Sequence, residues 1–363
     1  MLGGMPKSRA AEDVAAIETM RRVWRIPKAG SLARLALIEE PLHAPAAGEV
    51  QVEVAAVGVN FADVFACLGL YSATPPGSFV PGLECAGYVR RIGAGVTSWR
   101  EGDAVIVLTR FGGYASHLNV DARTLWPVPA GWSIEEAAAY PVQALTAWYG
   151  LVALGNARAG SVALVQSAAG GVGLNALQAL ARLGAHPVAV VGSMAKRDWL
   201  IQRFGLAPAT VVLRDARYEA ALDAALNHLG VRGFDVVLDA VHGSTFHAGF
   251  DRLAPEGRYV LYGAADFMSE GRRPNYLRLA WQYLRRPRLD PLAMIPQNRA
   301  LLAFNLIWLW EQADRLPESM RSTLALIPGQ PHIGERFDFA DVPAALAAIQ
   351  SGRTTGKLVL RIQ

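Results

Sequence analysis

The chain has 363 residues, 52% of them hydrophobic and 18% charged, and its 35 basic and 31 acidic side chains leave a net charge of +4. That length supports two domains with cores of their own, and the composition excludes a disordered chain. A balance this mild gives no expectation of a nucleic-acid partner, and two cysteines, Cys67 and Cys85, exclude a disulfide framework and suit a reducing, cytoplasmic setting.

Residues 1–20 read as an N-terminal extension. Glu12, Asp13 and Glu18 interrupt any signal-peptide core, and no stretch of the chain carries the roughly 20 apolar residues that span a bilayer, so no stable membrane insertion is expected. From Arg21 the pattern is β-rich. Arg22 to Ile26 and Arg34 to Ile38 read as paired strands about a turn at Lys28 to Ser31. Glu49 to Val54 alternates polar and apolar residues as a half-buried strand does. Short strands around Gly87 to Ile92 and Ala104 to Leu108 extend a compact, barrel-like β domain.

From about Gln143 strands and helices alternate. Strands are expected at Val162–Val165, Pro187–Val191, Val211–Leu213, Asp235–Asp239 and Arg258–Tyr262. Helices fit between them at 171–184, 195–204, 217–229 and 244–253. That alternation predicts a parallel, doubly wound α/β sheet. Asn298 to Leu326 looks helical with an interruption near Pro317, and Arg288 to Ile295 is a candidate edge strand. Gly334 to Phe339, Val342 to Ile349 and Lys357 to Ile362 read strand–helix–strand and return to the first domain. The expected division is 21–142 with 327–363 for a substrate domain and 143–326 for an inserted cofactor domain.

The sharpest motif follows the strand Val162–Val165. Ala168 stands where a dinucleotide fingerprint has its first glycine, Gly170 and Gly173 take the second and third places, and Gly171 is an extra glycine between them. A glycine turn entering a helix offers free N–H groups to a pyrophosphate, so Ala169, Gly170, Gly171 and Val172 are candidate cofactor-binding residues. The second strand ends in Gly192 and Ser193, with no acid to bind a ribose 2′-hydroxyl. Ser193, Lys196 and Arg197 can instead receive a 2′-phosphate, which points to NADPH. No four-cysteine metal site can form. Asp63, Cys67, Glu84 and Cys85 are the only metal-ligand types near one another in the early β domain, and buried free thiols are the simpler account of both cysteines. Asn60 ends a strand with an amide that donates and accepts, and Tyr71 follows the next short helix.

Gly58–Asp63, Leu68–Tyr71, Pro81–Gly87, Gly93–Val96, Gly102–Asp103, Ala168–Gly173 and Gly356–Lys357 together resemble the zinc-free medium-chain dehydrogenase/reductase superfamily in its quinone oxidoreductase branch. Val107–Gly112, Tyr262–Asp266, Arg272–Tyr276, Gln297–Ala300 and Pro331–Ile333 are similar to the vesicle amine transport protein-like group of that branch. The resemblance implies a GroES-like catalytic domain carrying a Rossmann NADPH domain, and a homodimer paired through an edge strand. Zinc-dependent relatives carry Cys where Asn60 stands and His where Leu83 stands, which implies chemistry without a metal. It also implies that Asn60 and Tyr71 line the nicotinamide and substrate pocket as catalytic candidates, and that Thr146, Tyr262 and Gly263 lie on the nicotinamide side. Gly192, Ser193 and Lys196 match the 2′-phosphate site, and Lys357 matches a basic cofactor contact. Leu213 replaces a common Tyr, with Arg214 beside it to compensate.

The function expected is NADPH-dependent reduction of a quinone or of the C=C bond of an α,β-unsaturated carbonyl. Asn60 and Tyr71 would stabilise the developing oxyanion, and Tyr71 or water would deliver the proton. Tyr71 serves as the acid only where its ordinary pKa of about 10 is lowered. Two alternatives stay open at this point. One is a tailoring enoylreductase on a carrier- or coenzyme A-bound thioester, met by Arg272, Arg273, Arg285, Arg286 and Arg288. The other is a nucleotide-sensing interaction protein with little turnover, served by the basic aromatic segment Asn275 to Arg288.

Overall fold

The computed structural model describes residues 19–268 and 271–363. The expected extension falls almost wholly outside that range, as does Glu270 at the start of the arginine-rich segment. The first strand, β1 (Thr19–Arg25), begins three residues before the expected Arg22 and pairs antiparallel with β2 (Ala36–Leu42). Arg21 and Arg25 both clamp the Glu40 carboxylate at this pair. A 3-10 turn, Leu32–Arg34, precedes β2 because the Ser31 hydroxyl accepts from the N–H of Ala33.

β3 (Glu49–Val59) leads into α1 (Phe61–Leu68), which Gly69 ends in a left-handed cap at φ 72°. β4 (Glu84–Ile92), β5 (Ala104–Leu108), β6 (His117–Asp121) and β7 (Leu125–Pro127) complete this stretch. α2 (Ile134–Ala138) and α3 (Pro141–Trp148) then lead out of it. β3 is the hub, pairing antiparallel with both β4 and β6. Its long Val-rich run suits that place, because β-branched residues fill a pleated surface packed on a core.

The doubly wound sheet follows. β8 (Val162–Val165) is buried along its whole length. α4 (Gly171–Leu183), β9 (His186–Val191), α5 (Met194–Phe204), β10 (Val211–Leu213), α6 (Tyr218–Leu229), β11 (Phe234–Asp239), α7 (Phe246–Phe250) and β12 (Leu253–Leu261) follow the expected alternation, except that α7 is shorter than expected and β12 begins five residues before the expected Arg258. The strand order is β10–β9–β8–β11–β12 and all pairs are parallel. The order reverses between β8 and β11, which makes the carboxyl ends of those two strands the place for a ligand.

The next segment departs from the sequence expectation. α8 (Tyr276–Leu284) is followed by α9 (Pro291–Met294), where an edge strand was expected. Asp290 caps that helix through the Leu292 N–H and Pro291 occupies its first turn. The edge strand is β13 (Ala300–Ala303), inside the run expected to be helical, and it pairs parallel with β12. α10 (Leu316–Leu326) takes Pro317 in its first turn, so that proline starts a helix and does not interrupt one.

β14 (Ile333–Asp338), α11 (Val342–Gln350) and β15 (Lys357–Arg361) close the chain. β15 pairs antiparallel with β3, in the order β14–β15–β3–β4–β5–β7. The C-terminus therefore returns to the first sheet, as expected. Among the described residues no helix is long and apolar enough to cross a membrane.

Candidate active site

The phosphate turn is built by close approach. Gly170 caps α4 without any side-chain hydrogen bond to the helix, which leaves the first-turn N–H groups uncapped by side chains. A Cβ on Gly173 would lie 2.5 Å from Ala168 Cα and 2.6 Å from the Ser167 carbonyl oxygen, so only glycine lets the helix sit this near the turn. A Cβ on Gly170 would meet only the Ser167 oxygen, at 3.3 Å. Ala169 is buried and Val172 half-buried, and the Gly356 N–H donates to the Ala169 oxygen at 2.8 Å. The C-terminal segment thus lies directly against the turn. Helix N–H groups left uncapped by side chains, at a turn of glycines without side chains, fit a dinucleotide pyrophosphate.

The second strand ends in a basic cluster. Ser193 caps α5, accepting from the Lys196 N–H at 3.4 Å. The Lys196 ammonium donates to the Gly352 oxygen at 2.8 Å. Burial, then the nearby Arg214 charge, lowers its pKa. Arg214 Nη2 stands 3.9 Å from where a Cβ on Gly192 would be. Gly192, Ser193, Lys196 and Arg214 are therefore brought together. Arg197 is not part of the group, because its guanidinium donates to the carbonyl oxygens of Val211 and Pro208.

Asn60 lies at the centre of a second, buried cluster. Its Nδ2 donates to Glu84 Oε1 at 2.8 Å and to the Gly58 oxygen at 3.4 Å. Its Oδ1 accepts from Lys357 Nζ at 2.7 Å and Gln143 Nε2 at 2.9 Å. Lys357 also forms an ion pair with Glu84, and both side chains are almost wholly buried. The second Glu84 oxygen accepts from the Val142 N–H at 2.8 Å. Burial pushes the Lys357 pKa down while the Glu84 carboxylate pulls it back up, with a net lowering. Gln143 reaches the other way too: a Cβ on Gly171 would lie 2.1 Å from Gln143 Oε1. One side chain on α3 thus touches both Asn60 and the phosphate turn.

Asp63 accepts from the Asn60 N–H at 2.8 Å and the Tyr114 hydroxyl at 3.1 Å, while its Oδ1 has no partner. Burial outweighs these bonds and raises its pKa to about 7. Cys67 and Cys85 are buried free thiols, and burial pushes both upward. Among the described residues no three His, Cys, Asp or Glu side chains are placed to hold a metal ion.

Tyr71 stands apart from the Asn60 cluster. Its hydroxyl donates at 2.7 Å to Oδ1 of Asn305, which follows β13 of the second sheet. Burial pushes its pKa up to about 12, opposite to what a general acid needs at neutral pH. Beside it Arg110 lies over Trp308, 5.3 Å from the ring centroid. Thr146 is buried on α3. Tyr262 follows β12 and stacks on Phe304, and a Cβ on Gly263 would lie 2.7 Å from the Ala240 oxygen. Gln143 and Asn305 were missed by the sequence reading. Only the glycine at 171 hinted that something packs there, and nothing marked Asn305.

Two family models match the chain, a zinc-binding dehydrogenase model over residues 208–360 and an alcohol dehydrogenase GroES-like domain model over residues 46–130. The chain is 32% identical over 316 residues to the synaptic vesicle membrane protein VAT-1 homolog of Danio rerio, covering 86% of this chain but 64% of that protein. It is 31% identical to quinone oxidoreductase-like protein 2 of Bos taurus, covering 94% of this chain and 93% of that one. Among solved structures, the quinone oxidoreductase from Thermus thermophilus, also solved in complex with NADPH, superposes with a TM-score of 0.74 at 29% identity. It covers 94% of this chain and 99% of that one. The enoyl reductase CurK superposes with a TM-score of 0.76 at 26% identity over the same shares.

Asp63 gives the site a pH signature. Its folded pKa lies above the ordinary carboxylate value, so folding takes up a proton and its contribution to stability is lost as pH rises towards and through 7. Thermal melts from pH 5 to pH 8 are expected to show a falling Tm, and Asp63→Asn is expected to flatten that slope. A slope unchanged by the substitution would assign it to other groups.

Proposed function

Because the chain belongs to the medium-chain dehydrogenase/reductase family, we propose that it uses NADPH to reduce a quinone or the C=C bond of an α,β-unsaturated carbonyl, without zinc. The observation that carries this reading is Gln143, which joins the phosphate turn to the buried Asn60–Lys357–Glu84 cluster. Residues 21–142 with 327–363 form the substrate domain in this reading, and 143–326 the cofactor domain.

The turn Ala169, Gly170, Gly171 and Val172 holds the pyrophosphate. Ser193, Lys196 and Arg214 receive the 2′-phosphate around Gly192, where a carboxylate would repel it. Solved neighbours described as NADPH complexes support the choice of cofactor. NADPH, when bound, supplies the hydride. Thr146, Tyr262 and Gly263 wall its nicotinamide end.

The chain's own part is to position the acceptor and stabilise charge. Both Asn60 donors and both its acceptor sites already have protein partners, so Asn60 acts as a fixed wall of the pocket with the Lys357 charge directly behind it. That charge stands in the cluster where zinc-dependent relatives place a cation. Tyr71 keeps its proton through the neutral range, which suits it to donate a hydrogen bond to the developing oxyanion while water delivers the proton. Asn305 holds the hydroxyl until an acceptor replaces it.

The enoyl reductase neighbours keep a thioester-bound enoyl group as the second reading, since it places the same C=C bond in the same cleft. We place the chain in the cytoplasm, where Cys67 and Cys85 stay reduced, and assign it no nucleic-acid or membrane role. The exposed apolar residues Tyr276, Leu277, Trp281, Leu284, Leu292 and Ile295 belong to the segment that leads into β13, the last strand of the second sheet, which supports a homodimer through that edge.

Tyr71→Phe is expected to lower kcat about 100-fold on the best enone while the Kd for NADPH stays unchanged. An unchanged kcat would remove Tyr71 from the chemistry. Replacing Lys196 and Arg214 by Ala is expected to weaken NADPH at least about tenfold and to leave NADH alone, as read by titration. Light scattering at micromolar concentration is expected to give the mass of two chains, and a monomer mass would contradict the dimer.

A further inference from the structure

His242 lies three residues past the end of β11, at the point where the strand order reverses. Its backbone sits at φ 65° and ψ −162°, a conformation favoured almost only by glycine and costly for any side chain. The surroundings hold it there. Asp239 accepts from the N–H of Val241 at 2.7 Å and of His242 at 3.1 Å. Tyr259 and Thr245 donate to the same carboxylate oxygen that accepts from His242. The Thr245 N–H donates to the His242 oxygen at 3.2 Å. Asp266 fixes the chain two residues on, accepting from the Ser244 N–H and hydroxyl, both at 2.9 Å.

The ring is fixed as firmly. Phe246 meets it edge-on at 5.8 Å and Phe267 lies nearly parallel at 6.2 Å. It is half-buried, and Nδ1 is enclosed without a hydrogen-bond partner. Burial lowers its pKa against the pull of Asp239 and Asp266, so the ring is neutral at pH 7. A buried N–H without an acceptor costs more than a buried lone pair without a donor. The proton therefore sits on Nε2, on the part of the ring that is not enclosed. None of the site residues assigned above needs this arrangement.

We propose that His242 is a cofactor-binding residue whose Nε2–H donates to a ribose hydroxyl oxygen of NADPH lying across the carboxyl ends of β8 and β11. Local strain persists where a ligand contact requires it, and the switch point between those strands is where a dinucleotide lies. Gln166, the residue after β8, donates its N–H to the Leu238 oxygen at 3.0 Å, so the phosphate turn and the His242 loop leave adjacent strand ends. The inference rests on the NADPH reading of this site.

The test is a titration of NADPH into the protein without acceptor, alongside calorimetric melting, for the wild type and for His242→Phe, His242→Gly and His242→Ala. Phe keeps a ring and removes the donor; Gly and Ala both remove the ring and differ in backbone strain. All three are expected to bind NADPH about tenfold more weakly, the size of one lost hydrogen bond. His242→Gly is expected to melt above His242→Ala. The same titrations with 2′,5′-ADP identify the ribose: a loss kept there marks the adenosine ribose, and a loss seen only with NADPH marks the nicotinamide ribose. A Kd for Phe and Gly within twofold of wild type would overturn the inference while leaving the cofactor reading intact. Absence of NADPH binding by the wild type would overturn both.

Discussion

The structure turns on the buried ion pair of Lys357 with Glu84. Removing two charges from water is costly, and such a pair is tolerable only when its remaining hydrogen bonds are satisfied. Here Asn60 and the Val142 N–H supply them. The four partners come from β15, β4, the end of β3 and the start of α3. One interaction therefore ties the returning C-terminus to the first sheet and to the helix that leads into the second. Deleting either charge would leave the other buried and alone, at a cost of about 3–5 kcal/mol.

The same cluster connects fold to chemistry. Gln143 rises from the first turn of α3, bonds Asn60 and packs where only glycine fits at position 171. The Gly356 N–H, one residue before Lys357, bonds the phosphate turn. The helix α3 and the C-terminal segment thus both register against the turn that would hold the cofactor. Tyr71 with Asn305, and Arg110 with Trp308, link residues of the first part of the chain to the segment after β13.

Features set by neighbouring residues were legible in the sequence. The strand–turn–helix at 162–183 is local: its periodic leucines, its glycines and its left-handed Gly184 cap act within a few residues of one another. The β-rich start, the doubly wound order and the return of the C-terminus follow from periodicity and alternation. The outer edge was not legible. Four residues, Ala300–Ala303, are too few for an alternation to stand out, and the apolar run around Pro291 suits a helix once Asp290 caps it. In the site, Asn60 and Tyr71 sit in a recognisable segment, and resemblance singled out Lys357. Their partners were out of reach: Asn305 lies 234 residues from Tyr71, and Lys357 lies 297 residues from Asn60. Spacing along a chain carries no information about pairs made only by tertiary folding. His242 was hidden for a different reason, since nothing in its neighbours announces a glycine-like conformation at a histidine.

The central claim is that a metal-free site passes hydride from NADPH to an electron-poor carbon. The most direct measurement follows deuterium from each face of C4-labelled NADPH into the product of a small enone, using protein stripped with a chelator. Label from one face only, found at the β-carbon at an undiminished rate, is the result the account predicts. Turnover that stops on chelation, or product without label from either face, would contradict it.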